Sequence, residues 1–376
     1  MPAILPPAML GIIGGGQLGR MFVTAAKRMG YRVTVLDPDA NAPAADFADV
    51  HLCAAFDDAE ALATLARSCA AVTTEFENVN ADAMRLLAKT TRVSPSGDCV
   101  AIAQDRIAEK SWINKAGLPT APYLAIESVE DIQVDLAPYL PGILKTARLG
   151  YDGKGQVRVK TADEARAAYA NLGGQACVLE KMLDLKLEVS AIVTRTSPAQ
   201  VAVFPVSENI HKNGILDESI VPARIAPELA ARAQQYARQL AEALGYVGVL
   251  AVEFFVLGDD SLVVNEIAPR PHNSGHYTID ACVTDQYQQQ VRAMCGLLPG
   301  NTGLLSPVVM VNLLGDVWQE DGGEPNWAVL MEAPNAHLHL YGKKQARVGR
   351  KMGHYCVLAA SVDDALEQAR ALKDTL

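Results

Sequence analysis

The sequence is short of the features that mark several protein classes. Lys and Arg number 33 against 43 Asp and Glu, a net charge of −10. So acidic a chain has no bulk attraction for a nucleic-acid backbone. Any anionic ligand must therefore be met by a local cluster of basic groups. The seven cysteines, Cys53, Cys69, Cys99, Cys177, Cys282, Cys295 and Cys356, are scattered, and none forms a C-x-x-C pair. That pattern argues against a disulfide framework or a zinc site and for free thiols in a reducing cytoplasm. No run approaches the ~18 apolar residues of a membrane span. The N-terminal stretch MPAILPPAMLGII lacks a basic flank and is broken by prolines, so it does not read as a signal peptide. Internal repeats, low-complexity tracts and long linkers are also missing.

What is present is a large apolar fraction, 50%, in 376 residues. At roughly 100–200 residues per domain this suggests two to four domains. Across residues 1–107, short apolar runs (MLGIIGG, YRVTVLD, VHLCA, AVTTE, RVSPS) alternate with helix-like segments, the signature of a parallel α/β sheet. In the helix-like stretch QLGRMFVTAAKRMG, Leu18, Phe22, Ala25, Ala26 and Met29 recur at helical spacing, with Gly30 at the expected C-cap. The segment GIIGGGQLGR contains G-x-G-x-x-G at Gly14, Gly16 and Gly19, and Asp37 ends the next strand. Alone this is a weak dinucleotide-binding fingerprint with its ribose acid. Glu75 and Glu77 lie at the same strand-end edge.

Beyond Asp105-Arg106 the pattern becomes β-rich. GVLAVEFFVLGDDSLVVNEIAPR reads as a hairpin with its turn at Gly258–Ser261. Pairing Leu257 with Leu262 and Val256 with Val263 would set Glu253 opposite Glu266. Carboxylates so placed stand roughly 5 Å apart and repel. A cation between them is expected, and hard oxygen ligands without Cys or His favour Mg²⁺, with Mn²⁺ as a substitute. A register slip would instead leave two solvent-facing Glu. LGYDGKGQV, between two strand signals, carries Gly150, Gly153 and Gly155, with Lys154 at its tip. Such a loop can bring backbone N–H groups to phosphate oxygens, although no helix opens with G-K-[ST]. Lys145 and Arg106 add charge. The run Glu180-Lys181-Met182-Leu183 could meet a base edge as a hinge, and Glu188 could take ribose hydroxyls. Together these describe an ATP site.

The motifs GIIGGGQLGRM, TEFENV, QDR, KTARLGYDGKGQ, EKML, NEIAPRPHNSGHYT and HLYGKKQARVGRKMGH make the chain, over essentially its whole length, resemble an ATP-grasp family. That family is the N5-carboxyaminoimidazole ribonucleotide synthetases, the ATPase subunit of phosphoribosylaminoimidazole carboxylase. The resemblance implies an α/β and α+β multi-domain ATP-grasp fold. A Rossmann-like parallel domain would span 1–107, an ATP-grasp domain 108–302 with a mobile lid at about 120–182, and a small β-rich C-terminal domain 303–376. It implies ATP- and bicarbonate-dependent carboxylation of 5-aminoimidazole ribonucleotide (AIR), through carboxyphosphate, by a cytoplasmic ligase of purine biosynthesis. A homodimer and coupling to a downstream mutase are also implied, with no membrane or nucleic-acid partner.

Carried over residue by residue, the resemblance puts Arg106, Lys145, Gly150 to Gln156, Glu180 to Leu183, Glu188, His211, Asn265 and Glu266 at ATP, and Glu253 with Glu266 at Mg²⁺. Gln17, Leu18, Glu75, Arg270, His272, Asn273, Ser274, Lys343 and Arg350 would hold AIR and bicarbonate, the last two binding the AIR phosphate. Tyr151, Asp152, Lys154 and Arg270 would act in catalysis, with Asp152 taking the amine proton. Ala268 stands where biotin carboxylase has a further metal ligand, which puts a third protein ligand in doubt. The nearest alternative is formate-dependent phosphoribosylglycinamide formyltransferase, whose first loop carries Glu and Lys where Gln17 and Arg20 stand here. A nicotinamide-dependent dehydrogenase, from another class, would leave the Glu253/Glu266 pair unexplained.

Overall fold

The computed structural model describes residues 2–150, 155–318 and 323–376. The first unit is a five-stranded parallel sheet in the order Val50–Leu52, Arg32–Leu36, Met9–Ile13, Ala71–Thr74, Arg92–Val93. Strand order reverses about Met9–Ile13, so the crevice beyond Ile13 and Thr74 is the place where such sheets take ligands. Helix Gln17–Arg28 buries Phe22, Val23, Ala25 and Ala26. Its core is shared with Tyr287, Val291 and Met294 of helix Gln286–Met294. Lys27 and Arg28 in its last turn suit the negative end of the helix dipole.

A second, four-stranded antiparallel sheet runs Tyr123–Ile126, Cys177–Lys181, Gly142–Thr146, Gln156–Val159. With helix Ala162–Asn171 it encloses its own core of Ile126, Leu144, Val159, Ala168, Tyr169 and Leu179.

The third sheet has nine strands. Its main path is Leu262–Ala268, Gly248–Leu257, Leu185–Ser197, Ser207–Lys212, Ile215–Val221, Val308–Leu314, Lys351–Leu358, Ala336–Leu340. The C-terminal strands thus form no sheet of their own. Ile220 pairs with Val309 and Ser219 with Met310, and the apolar side chains of this junction are buried. Helix Pro227–Ala243 covers one face, burying Leu229, Ala233, Ala237 and Leu240. The cleft between the four- and nine-stranded sheets holds the residues that carry chemistry.

No helix among the described residues is long and apolar enough to cross a membrane. All seven cysteines are free, and only Cys53 is exposed.

Candidate active site

Glu253 and Glu266 stand directly opposite each other, but the hairpin reaches that pairing by a route the turn does not predict. Near the turn Val256 pairs with Leu262 and Phe255 with Val263, one residue away from the register expected for Leu257 with Leu262. The register shifts between Glu253 and Phe254, where Asn265 is the extra residue. A bulge of this kind re-aims side chains beside active sites. The two acids sit in unlike surroundings. Arg106 Nη1 donates to Glu266 Oε2 at 3.0 Å. Burial pushes the Glu266 pKa up, but this guanidinium outweighs it and holds the group below the ordinary range. Burial, and then the charge of Glu266, raise Glu253.

Glu253 is held by a buried relay. Ser219 Oγ donates to Asn209 Oδ1 (2.9 Å), Asn209 Nδ2 to Ser190 Oγ (3.0 Å) and Ser190 Oγ to Ser274 Oγ (2.7 Å). Ser274 Oγ lies 2.9 Å from His272 Nδ1, which also accepts from the Ser274 amide. That leaves the ring proton on Nε2, 3.1 Å from Glu253 Oε1. Burial and then the Arg270 charge push His272 well below its ordinary pKa, so it donates as a neutral ring. Ser274, expected at a ligand, is wholly buried in this relay.

One cavity of about 370 Å³ brings together Arg106, Lys145, Gly150, Gln156, Glu188, His211, Asn265, Glu266 and Glu253 with Arg270, His272 and Asn273. Arg106 also donates to the Gly150 carbonyl (3.2 Å), tying Glu266 to the root of the glycine-rich loop. Gly155 closes that root at φ +70, and a Cβ there would lie 2.7 Å from Thr146 Oγ1. His211 Nδ1 is 3.2 Å from Glu188 Oε2. Burial works against charge on His211, but Glu188, with Glu253 and Glu266 behind it, raises its pKa. Asn273 is buried with neither carboxamide atom hydrogen-bonded among the described residues. Such a group at a cavity wall is suited to a ligand.

Other expected residues sit differently. The Glu180 carboxylate is buried between Lys110 Nζ (3.3 Å) and Lys145 Nζ (3.1 Å). It therefore sets Lys145, while the Lys181 and Met182 amides donate to the Pro122 and Pro141 carbonyls. Of the hinge amides, Leu183 is the one left for a base edge. The Leu18 side chain belongs to the core of the first unit. Tyr151, Asp152, Gly153 and Lys154 lie outside the described residues.

At the first sheet, Glu75 Oε1 and Oε2 accept from the Gly16 and Gly19 amides at 2.6 and 2.5 Å. Asp37 Oδ2 accepts from the Gly15 amide at 2.7 Å. Gly14 has φ +100, and a Cβ there would lie 2.3 Å from Glu75 Cγ. The amides that would bind a pyrophosphate are thus taken by the protein's own acids, which sets a dinucleotide site aside. Glu75 shapes this loop rather than reaching freely to a sugar. Near it, Lys343, Lys344, Arg347 and Arg350 line a cavity of about 240 Å³ with Asp39, Asn41 and Pro43. This joins the basic C-terminal run to the first unit.

Three further residues at this site were given no role by the sequence. Lys351 lines the main cavity but in sequence is the last of several basic residues. Glu109 is buried and accepts from the Ile267 amide at 2.6 Å, and Glu77 pairs with Arg270. The helical position of Glu109 and the strand-end position of Glu77 were the available signals.

Basic and glycine residues of a small sheet and its loop, Lys145 and Gly150, facing paired acids on a large one across a shared cavity, define an ATP-grasp ligase. Residues 111–287 match the ATP-grasp domain, 8–104 the ribonucleotide synthetase preATP-grasp domain, and 308–368 the phosphoribosylaminoimidazole carboxylase C-terminal domain. The chain is 47% identical to the N5-carboxyaminoimidazole ribonucleotide synthase of Brucella melitensis over 94% of this chain and 96% of that one. It is 43% identical to that of Bacillus subtilis, covering 97% and 95%. Among solved structures, an ADP complex of N5-carboxyaminoimidazole ribonucleotide synthetase superposes with TM-score 0.92 at 44% identity, covering 99% and 98%. The Aspergillus clavatus enzyme with ADP and AIR gives 0.88 at 32%, covering 98% of each chain. The chain belongs to the N5-carboxyaminoimidazole ribonucleotide synthase family.

Proposed function

We infer that this chain is an ATP-dependent carbon–nitrogen ligase of purine biosynthesis that carboxylates AIR to N5-carboxyaminoimidazole ribonucleotide. Family membership sets aside the formyltransferase reading. The observation that carries the assignment to this site is the single cavity joining Glu253, Glu266, Arg106 and Lys145 to Arg270, His272 and Asn273.

Bicarbonate is the proposed carbon source. Its oxygen takes the γ-phosphoryl group of ATP, giving carboxyphosphate and ADP. The C–O bond to phosphate breaks and phosphate leaves, either as the AIR amine attacks the carboxyl carbon or beforehand to give CO₂ that the amine then attacks; the amine proton passes to a base, proposed as Asp152. Tyr151 and Lys154 are proposed to act beside it. Glu253 and Glu266, an all-oxygen donor pair, fit Mg²⁺ or Mn²⁺, which when bound would neutralise phosphate charge.

Arg106 and Lys145 orient the phosphates. Glu188 takes the ribose hydroxyls with His211 beside it, and the 150–156 loop shields the reaction from water. Arg270 and Asn273 face bicarbonate and AIR, while His272 holds Glu253 in line. Lys343 and Arg350 bind the AIR phosphate, with Gln17 and the Glu75-braced loop near its ring and sugar. The proposed units remain 1–107, 108–302 and 303–376, in a cytoplasmic homodimer that passes its product to a mutase.

The test is ADP release from ATP, Mg²⁺ and bicarbonate with and without AIR. Strong stimulation by AIR, and none by glycinamide ribonucleotide with formate, is expected. ADP release indifferent to AIR would overturn the acceptor.

A further inference from the structure

Strands Ala336–Leu340 and Lys351–Leu358 pair with His339 opposite His354 and His337 opposite Cys356. Residues two apart on a strand, and residues directly opposite across a pair, share a face. These four side chains therefore form a block on one face of the sheet. The short helix Thr278–Ala281 packs against that face, sharing a core with Cys356. Its Asp280 Oδ2 lies 2.9 Å from His339 Nε2, and Oδ1 lies 3.9 Å from His337 Nδ1. One ligand atom each from Asp280, His354 and Cys356 fall within 4.8 Å of one another.

The second observation is His354 itself. It is wholly buried. Its Nδ1 lies 2.9 Å from the Tyr341 hydroxyl, while Nε2 has no hydrogen-bond partner among the described residues. A buried ring nitrogen left unsatisfied costs stability. A proton on Nδ1, donated to Tyr341, leaves the Nε2 lone pair for a ligand, which is how a partner behind a metal-bound histidine fixes its tautomer.

We propose that Asp280, His354 and Cys356 form a three-ligand zinc-class metal site, with water completing the tetrahedron. Imidazole, thiolate and one carboxylate suit Zn²⁺ and disfavour Mg²⁺ or Ca²⁺, which take oxygen shells. No C-x-x-C motif announces the site because its ligands come from one strand and a helix. A tetrahedral ion with bonds of roughly 2.0–2.3 Å sets ligand atoms roughly 3.3–3.8 Å apart, so closure asks for shifts of about 1 Å. Burial, then the nearby Asp280, keeps the Cys356 thiol protonated. Binding forms the metal–sulfur bond as the S–H bond breaks, and the proton leaves to water. The ion would pin the C-terminal strands to the segment that follows the His272–Ser274 relay.

The test uses the full chain, stripped with chelator and titrated with Co²⁺ in excess Mg²⁺, which occupies carboxylate sites. Expected are one Co²⁺ per chain with a thiolate-to-cobalt charge-transfer band, displaced by Zn²⁺, and loss of the band in Cys356→Ser. Asp280→Asn, which keeps the local volume, should weaken Co²⁺ binding at least tenfold and decides the matter where Cys356→Ser fails to fold. No band in the wild type, or a band of unchanged affinity in Asp280→Asn, would overturn the site.

Discussion

Glu253 faces Glu266 across the hairpin only because Asn265 is inserted as a bulge between that pair and the one nearer the turn, Phe254 with Val264. Without the bulge the two-residue alternation would carry one acid to the opposite face of the sheet. The insertion also places Asn265 on the cavity wall. Like-charged groups directly opposite are unfavourable, so this pairing costs the ligand-free fold stability.

Glu253→Gln should separate a role at the ligand from a role in the fold. The amide oxygen still accepts from His272 Nε2, so the relay survives. Turnover should fall by on the order of 10²–10³-fold, as removal of one metal-side carboxylate implies. The thermal midpoint of the ligand-free protein should not fall, and relief of repulsion should raise it slightly. Measuring ADP release and a melting curve on the same preparation checks both. A large drop in the midpoint would show that the pair is structural.

Glu75→Gln addresses the glycine loop. A carboxylate accepts from both the Gly16 and Gly19 amides, whereas a carboxamide offers one oxygen and turns an N–H toward the other. One buried amide is orphaned, at a cost of about 1–3 kcal/mol. A lower melting temperature and a raised KM for AIR are expected, with KM for ATP little changed. Unaltered stability would mean that these short contacts are not what shapes the loop.

The sheets, the hairpin and the glycine-rich loop were legible because each leaves a local pattern: strand–helix alternation over 1–107, apolar runs about Gly258–Ser261, and glycines between strands. The joining of the C-terminal strands to the central sheet was not, because nothing in Val308–Leu314 specifies that Ile215–Val221 is its neighbour. The same holds for partners. Glu75, Glu180 and Ser274 each meet protein groups, and sequence position cannot tell which neighbours a side chain braces. Lys110, which reaches Glu180 of the small sheet from helix Arg106–Lys115, gives no signal beyond being a lysine in a helix.

Arg350→Ala tests the basic cavity between the C-terminal loop and residues 39–43. Arg350 Nη1 donates to the Gln345 carbonyl at 2.8 Å, and Arg347 Nη2 to Gln345 Oε1 at 2.7 Å, so the loop presents its guanidiniums in a set geometry. Loss of one charge-assisted phosphate contact, about 1.5–3 kcal/mol, should raise KM for AIR roughly 10- to 100-fold. The ATP dependence should stay as in the wild type, and the defect should shrink at high salt, where the wild-type attraction is screened. An equal rise in both KM values would place the phosphate elsewhere.

The Glu77–Arg270 pair makes the join between the first unit and the segment after strand Leu262–Ala268 sensitive to acid. Burial alone would raise the Glu77 pKa, but the Arg270 charge and hydrogen bond bring it down to about 2 from an ordinary 4.5. A carboxylate whose folded value lies below its unfolded one stabilises the fold fully above the unfolded pKa. That contribution is lost as pH falls through the window from 4.5 to about 2. The difference corresponds to about 3 kcal/mol at most. Melting temperature followed from pH 6 downwards should therefore fall steeply in the wild type over this window. In Glu77→Gln the curve should start lower, because Arg270 has lost its partner, and should be flatter below pH 4.5. A variant that retains the wild-type slope would show that other carboxylates govern the acid limb.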